Sequence, residues 1–400
     1  MRGDLLEGVR VLDLTRLLPG PLCTQHLADL GADVIKIEDT HGGDYGRHGL
    51  GTGGDTDPDY FATVNRGKRS LALDLKQTEG RELFCKLART ADIVVEGFRP
   101  GVMERLGIGY ASLQQINSKI VFCSISGYGQ TGPYRNRAGH DLNYCALTGM
   151  IDQTGQPASD PVIPAFQIAD LAGGTLTALA TLLAALYKAQ RSGRGCHIDV
   201  AMADSVMAHS ILSLAVNQSV SVEQGRGQGA LNGGLPCYGV YRTADGRHLA
   251  VAALERKFWE RMCHQIERPD LIERHSASGT DAQLVRGELE KAFGRRTLKE
   301  WLDLFDDADC CVSPVLRFDE ALEHPQFIAR ALFNRDTSGS VRSFGFPAVI
   351  DGQRYSAECA APTYAQHGRA IVGELGYSDE QITALIDSGV IRLAGRQGES

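Results

Sequence analysis

The chain has 400 residues, a hydrophobic fraction of 43% and a formal net charge of −8 at pH 7. That length predicts two domains rather than one small one, and an acidic balance without any Lys/Arg run excludes the nucleic-acid-binding class. Positive charge is local instead. Arg66, Lys68 and Arg69 share the turn NRGKRS, and Arg99 and Arg105 follow. They read either as solvated surface or as the seat of a small anionic ligand.

In chain order, VRVLDL (residues 9–14) is a first strand. The loop TRLLPGP leads into a helix that Gly31 ends, and ADVIKIED (32–39) is a second strand. A β-α-β unit of that length implies a parallel pair with a right-handed crossover. Its loop contains no GxGxxG, so dinucleotide binding is rejected. Residues 41–60 form a polar Gly/Asp-rich loop. A strand (70–75), an amphipathic helix (TEGRELFCKLARTA) and a strand (DIVVEGF) continue the alternation, with Pro100 at a helix start, where its missing N–H costs nothing. The strand KIVFCSI (119–125) precedes a glycine-dense loop. The fold class is therefore α/β, with a Rossmann-like parallel sheet in the large domain.

Beyond that loop, residues 173–188 read as an apolar helix whose longest uninterrupted run, LTALATLLAALY, is 12 residues, too short to cross a bilayer. CHIDVAM is a further strand and residues 204–220 a helix. The stretch 221–234 is a linker, and PCYGVYRTADGRHLAVAAL is a hairpin around Ala-Asp-Gly. Helices over 258–266, 281–293 and 298–306 complete a smaller α+β domain. The chain then turns irregular, with a late helix over 378–388. We assign 1–220 to a large domain, 221–330 to a small one, and 331–400 to a segment packing back on the large domain. The ten cysteines form no CxxC pair, and an opening broken by acidic residues is unlike a signal peptide. Both suit free thiols in a cytoplasmic setting. No metal, flavin or nicotinamide site is visible.

Three ionisable residues stand out. His140 closes the loop GYGQTGPYRNRAGHD, and a histidine in such a loop is commonly structural, yet glycine density permits close approach of a ligand. Asp170 ends the run PVIPAFQIAD and begins LAGG, where it is either a helix cap or a reactive carboxylate. Glu255 follows VAAL and reads equally as a surface residue. Spacing alone does not join them.

The segments GADVIKIE, NRGKRSLALDL, VEGFRPGVMERLG, SGYGQTGPYRNRAGHDLNY, IADLAGG, GRGCHIDVAMAD and DADCCVSPVL…EALEHP resemble the class III coenzyme A-transferase family, over residues 6 to about 330. That family includes formyl-CoA and carnitine CoA-transferases and α-methylacyl-CoA racemase. The resemblance implies two chains interlocked as a homodimer, with sites where one chain's large domain meets the other's small domain. It implies CoA as a substrate moiety rather than a resident cofactor, with Arg66, Lys68, Arg69, Phe98, Arg99 and Arg105 as its contacts. Relatives carry an arginine right after the Ile-Glu of the second strand, whereas this chain has Asp39. Its only glycine run near the hairpin is Asn232-Gly233-Gly234.

The resemblance joins the three residues in two ways. In the racemase form, His140, partnered by Glu255, and Asp170 act as acid and base on opposite faces of a thioester α-carbon, with N–H groups of the small-residue segment after Asp170 receiving the enolate oxygen. In the transferase form, Asp170 is the nucleophile that carries CoA as an aspartyl thioester between carboxylic acids, and His140 positions the substrate. A silent acyl-CoA-binding protein would need no such triad. The acyl pocket is expected to involve Leu17, Leu18, Tyr144 and Tyr238.

Overall fold

A computed structural model describes residues 3–49, 58–219, 225–357 and 360–394. The chain divides into two compact units. The first comprises Met1–Thr148, Phe166–His209 and His324–Ser400; the second comprises Gly149–Ala165 and Ser210–Glu323. The second unit thus includes the short stretch Gly149–Ala165 from within the part read as the large domain.

The first unit is built on six parallel strands, β1 (Arg10–Leu14), β2 (Asp33–Glu38), β3 (Arg69–Leu73), β4 (Ile93–Glu96), β5 (Val121–Ser126) and β6 (Cys196–Ala201). Their order is β3-β2-β1-β4-β5-β6. The C-terminal segment returns to this sheet, where the short strand Ile391–Arg392 pairs antiparallel with β3. Because side chains alternate between faces along a strand, Leu12, Leu14, Ile35, Ile37, Leu71 and Leu73 all face one layer. There they meet Leu83 and Phe84 of the helix Thr78–Arg89 and Ile371, Ile382 and Ile386 of the C-terminal helices.

The opposite face carries charge. Asp13 and Lys36 are register partners on β1 and β2, and both are buried. The Lys36 ammonium pairs with Asp44 at 2.8 Å and donates to the Thr15 carbonyl at 3.0 Å. Asp13 accepts from Thr24 of the helix Pro19–Asp29 at 2.6 Å and from Lys68 at 2.9 Å. The two lysines beside it hold the Asp13 carboxyl well below the usual range despite its burial. A buried layer of this kind adds little net stability over an apolar one, but removing one partner strands a charge and costs about 3–5 kcal/mol.

Several elements differ from the sequence reading. The loop expected over 41–60 contains a turn of 3-10 helix, Tyr45–His48, and its end belongs to the helix Pro58–Asn65; residues 50–57 lie outside the described residues. The helix expected over 204–220 is two, Met202–Ala208 and Ile211–Ser219; Val220 and residues 221–224 of the linker also lie outside the described residues. The apolar helix is longer than expected. A π-helical stretch, Ala169–Leu176, runs directly into the α-helix Thr177–Ser192. By length and composition alone this 24-residue helix is long and apolar enough to cross a membrane, yet half of its apolar window is buried inside the protein, as in a core helix.

The second unit carries the antiparallel strands β7 (Tyr238–Arg242), β8 (His248–Ala252) and β9 (Val312–Pro314). Helices Arg256–Gln265, Gly279–Phe293 and Leu298–Phe305 supply Trp259, Phe293, Trp301 and Phe305 to its core. The indole N–H groups are satisfied, Trp259 by the Leu271 carbonyl at 3.0 Å and Trp301 by the Phe293 carbonyl at 2.8 Å.

Candidate active site

The chain leaves β1 for β2 on one side and β4 for β5 on the other, so a crevice opens at the carboxyl ends of these two strands. A cavity of about 430 Å³ lies there. Its wall comes from the turns after β1 (Thr15–Leu17), β4 (Gly97–Pro100) and β5 (Ser126–Tyr128), from the loop ending at His140, and from Asp170. His140 and Asp170, some thirty positions apart in sequence, thus line one cavity of the first unit.

Each is fixed locally. His140 immediately precedes the helix Asp141–Leu147, and its backbone N–H donates to the Asn143 amide oxygen at 3.0 Å. The Asp141 carboxylate then reaches across to accept the backbone N–H of Asp170 at 3.0 Å. Burial first, and the neighbouring Asp141 charge second, push the Asp170 carboxyl up to about 7. A carboxyl held near neutrality can both give and take a proton. Tyr144 packs edge-on to Tyr128 at 5.1 Å, and its hydroxyl donates to the Gly139 carbonyl. Burial and the Asp170 charge push this phenol up to about 12, so it stays a donor. The loop glycines make room for that ring. A Cβ on Gly127 would stand 2.3 Å from Tyr144, and one on Gly139 2.7 Å.

The glycines after Asp170 serve helix packing. Cβ atoms at Gly173 and Gly174 would stand 2.8 Å from the Met202 carbonyl and 2.7 Å from Pro19, so these residues allow close helix packing. The N–H of Asp170 is taken by Asp141, and that of Leu171 by the Gln167 carbonyl. These two groups do not point an oxyanion site into the cavity.

The basic turn is the main correction. Arg66, Lys68 and Arg69 were expected to hold CoA phosphates. Arg66 is 6% exposed and paired with the buried Asp29. The Lys68 ammonium is fully enclosed, donating to Asp13, to the Pro21 carbonyl at 2.8 Å and to Asn65 at 2.8 Å. Arg69 opens β3, at the end of the sheet away from the cavity, and is neutralised by Asp33 and Glu374. These cations hold the first unit together. Phe98 and Arg99 do line the cavity, whereas Arg105 is exposed on the short helix Val102–Arg105, outside its wall. Leu17 and Tyr144 line it too, while Leu18 does not and Tyr238 lies on β7 of the second unit. Glu255 is an exposed residue of the second unit, preceding the helix Arg256–Gln265. Within the first unit the structure therefore brings together His140 and Asp170.

Sequence reasoning missed Asp141 as the group that sets Asp170, although it adjoins His140. It also missed Arg16, Arg135 and Arg137 on the cavity wall. Their signal was present only as isolated arginines in two loops. Together with Arg99 they make one cavity with four guanidinium groups, beside the aromatic rings of Tyr45, Phe98 and Tyr128. That is chemistry suited to a ligand with phosphates and a flat base.

Residues 6–368 match the profile described as CoA-transferase family III. The chain is 34% identical to α-methylacyl-CoA racemase of Mus musculus over 389 residues, covering 97% of each protein. It is also 34% identical to succinyl-CoA:glutarate CoA-transferase of Mus musculus, over 96% of this chain and 90% of that protein. A CAIB/BAIF family protein from Brucella suis, solved by crystallography, superposes with a TM-score of 0.80 at 28% identity, over 94% of this chain and all of that one.

Proposed function

Since the chain belongs to CoA-transferase family III, we propose that it acts on acyl-CoA thioesters and racemises 2-methylacyl-CoA by 1,1-proton transfer between His140 and Asp170. The observation carrying this reading is one cavity that holds an imidazole together with a carboxyl raised to about 7. A thioester α-proton is weakly acidic, so its exchange needs a base on one face and an acid on the other. A carboxyl that is half protonated near neutral pH serves in either role. In this reading Glu255 partners the imidazole, and Phe98, Arg99 and Arg105 remain on the path of CoA. The enzyme works as a homodimer in the cytoplasm. Leu176, Tyr187 and Met207 are 49%, 62% and 62% exposed on the helices Ala169–Ser192 and Met202–Ala208, an apolar face that supports association. Free thiols at all the described cysteines suit a reducing compartment.

A second reading is favoured by the equal identity to a CoA-transferase. There Asp170 attacks the acyl-CoA carbonyl and CoA leaves as thiolate; the thiolate attacks the aspartyl carbonyl of the mixed anhydride and releases the donor acid; the acceptor carboxylate then attacks the aspartyl thioester, and the expelled CoA thiolate attacks the acceptor's carbonyl in the new anhydride, which frees Asp170. Proton NMR of the protein with (2R)-2-methylacyl-CoA in D2O separates the two. Deuterium entering C2 without an acceptor acid is the expected result. No exchange, with succinyl-CoA formed once succinate is added, would overturn racemisation and make Asp170 the nucleophile.

A further inference from the structure

Two buried glutamates close strands of the first-unit sheet, Glu38 on β2 and Glu96 on β4, and each is 4% exposed. Their surroundings differ. Arg47 donates to Glu38 at 2.7 and 2.8 Å, and Ser70 at 2.6 Å. Despite burial, these donors and Lys36 hold the Glu38 carboxyl below its usual range. Among the described residues, no lysine or arginine lies within ion-pair distance of Glu96. Burial pushes its carboxyl up to about 7. Hydrogen bonds from the Ser124 hydroxyl and the Phe98 N–H pull it down, and the Glu104 and Asp199 carboxylates push it up further. The remaining titratable neighbour, the Cys123 thiol of β5, is raised far above its usual range by burial and carries no charge. A buried carboxyl without a counter-ion changes protonation near neutral pH.

The two polar neighbours of Glu96 lead in opposite directions. The Phe98 N–H donates to it at 2.7 Å across Gly97. Gly97, Phe98 and Arg99 are cavity wall, so this bond ties the carboxyl to the wall. A charged acceptor makes such a bond roughly twice as strong as a neutral one. Ser124 is the register partner of Glu96 on β5, and in turn the partner of Asp199 on β6. Residues two apart on a strand share a face, so His197 lies on that face too. The Ser124 hydroxyl is 3.0 Å from His197 Nε2. The imidazole is exposed, stacked on Tyr110 at 5.6 Å and set edge-on to Phe122 at 5.5 Å. One ring nitrogen thus meets Ser124 while the ring itself reaches solvent.

We propose that Glu96, Ser124 and His197 form a proton relay between solvent and the cavity wall, with Glu96 the positioning residue of the turn 97–99. While Glu96 is ionised, His197 carries its proton on Nε2 and donates to Ser124, and Ser124 donates to the carboxylate. A solvent proton then binds Nδ1, the Nε2 proton passes to the Ser124 oxygen, and the Ser124 proton passes to Glu96. One proton has entered, Glu96 is neutral, and His197 is neutral as its other tautomer. The turn is held by a charge-assisted bond in the first state and by a weaker one in the second. The relay does not depend on a ligand; its effect on binding rests on the acyl-CoA reading above.

Nitrogen NMR of histidine-labelled full-length protein at about pH 8.5 reads the tautomer with no substrate present, the His197 signals being those lost in His197→Gln. The unaltered protein carries this proton on Nε2. Glu96→Gln offers Ser124 a permanent N–H donor, as the protonated acid does, and moves the proton to Nδ1. The same tautomer in both proteins would overturn the relay. Thermal melting reports whether the variant folds. Should it not, Ser124→Ala decides: without the hydroxyl donor the Glu96 carboxyl, followed by carbon NMR, titrates above 7, and an unchanged titration overturns the relay. Isothermal titration with dephospho-CoA, which has no group titrating between pH 6 and 8, tests the positioning role. Its affinity for the unaltered protein falls about five-fold from pH 8 to pH 6, the difference between a charged and a neutral acceptor. Glu96→Gln binds weakly at both. An equal pH dependence in the two proteins would overturn the positioning role. If the unaltered protein does not bind dephospho-CoA at all, the acyl-CoA reading falls, and the tautomer still decides the relay.

Discussion

Replacing Asp141 by asparagine tests what sets the proton affinity of Asp170. Asparagine keeps an oxygen to accept the Asp170 N–H, so the 3.0 Å contact survives while the charge goes. Asp170 lies at about 7 against an ordinary 3.8, an excess of about 3 pH units, with burial the larger cause and Asp141 the smaller. The charge therefore accounts for less than half, at most about 1.5 pH units, or roughly 2 kcal/mol. Coulomb's law at an effective dielectric near 20 gives that energy for charges on the order of 8 Å apart, a sensible spacing for two carboxylates linked through one backbone N–H. In Asp141→Asn the Asp170 carboxyl should titrate between about 5.5 and 6.5. Carbon NMR of protein labelled at aspartate carboxyls, differenced against Asp170→Asn, measures this directly. The acid limb of C2 deuterium exchange should move down with it. A titration that stays near 7, or rises, with CoA binding intact, would refute the electrostatic account.

The same carboxyl links to stability. Its folded pKa is raised, so burial of the ionised form opposes folding as pH climbs from about 4 to 7; Asp170→Asn should stabilise the protein at pH 8, by up to about 3 kcal/mol, and not at pH 4, as read by urea unfolding. Gly139→Ala places a methyl 2.7 Å from the Tyr144 ring and should cost about 1–3 kcal/mol while lowering exchange more than CoA affinity. Glu255→Gln should slow C2 exchange by about a hundred-fold or more with CoA binding unchanged; full activity would remove Glu255 from the proposed acid–base set.

Much of this was legible in the chain itself. The alternation of β and α units, the hairpin at Ala-Asp-Gly and the second-unit helices follow from local periodicity, and the structure matches them closely. His140 and Asp170 were singled out by the resemblance of their segments to a family, spacing alone having left them unjoined, and both line one cavity. The basic turn was misread because burial of a charge is decided by distant partners. Lys68 meets an aspartate 55 positions earlier, Arg66 one 37 earlier and Arg69 one 36 earlier. Nothing within NRGKRS distinguishes an enclosed cation from a solvated one. Arg16 was passed over for the converse reason: a single arginine in LDLTRLLPGP has no local pattern, and its place on the cavity wall is set by Asp39 and Tyr45 folding back onto it.

The wide winding at Ala169–Leu176 has an evolutionary corollary. A π turn holds one residue more than an α turn, so it is gained or lost by inserting or deleting a single codon. With the helix Thr177–Ser192 anchored in the core, loss of one residue from the Gly173–Gly174 pair would wind the stretch as ordinary α-helix. The flanking segments would keep their places, because the wide turn already absorbs the extra residue, and the change would stay within Ala169–Leu176. Asp170 lies inside that stretch and on the cavity wall, and the glycine pair packs on Met202 and Pro19, so the deletion would fall on the carboxyl's own turn of helix and on its packing. One three-nucleotide change there therefore alters the setting of Asp170 while the helix Thr177–Ser192 keeps its register.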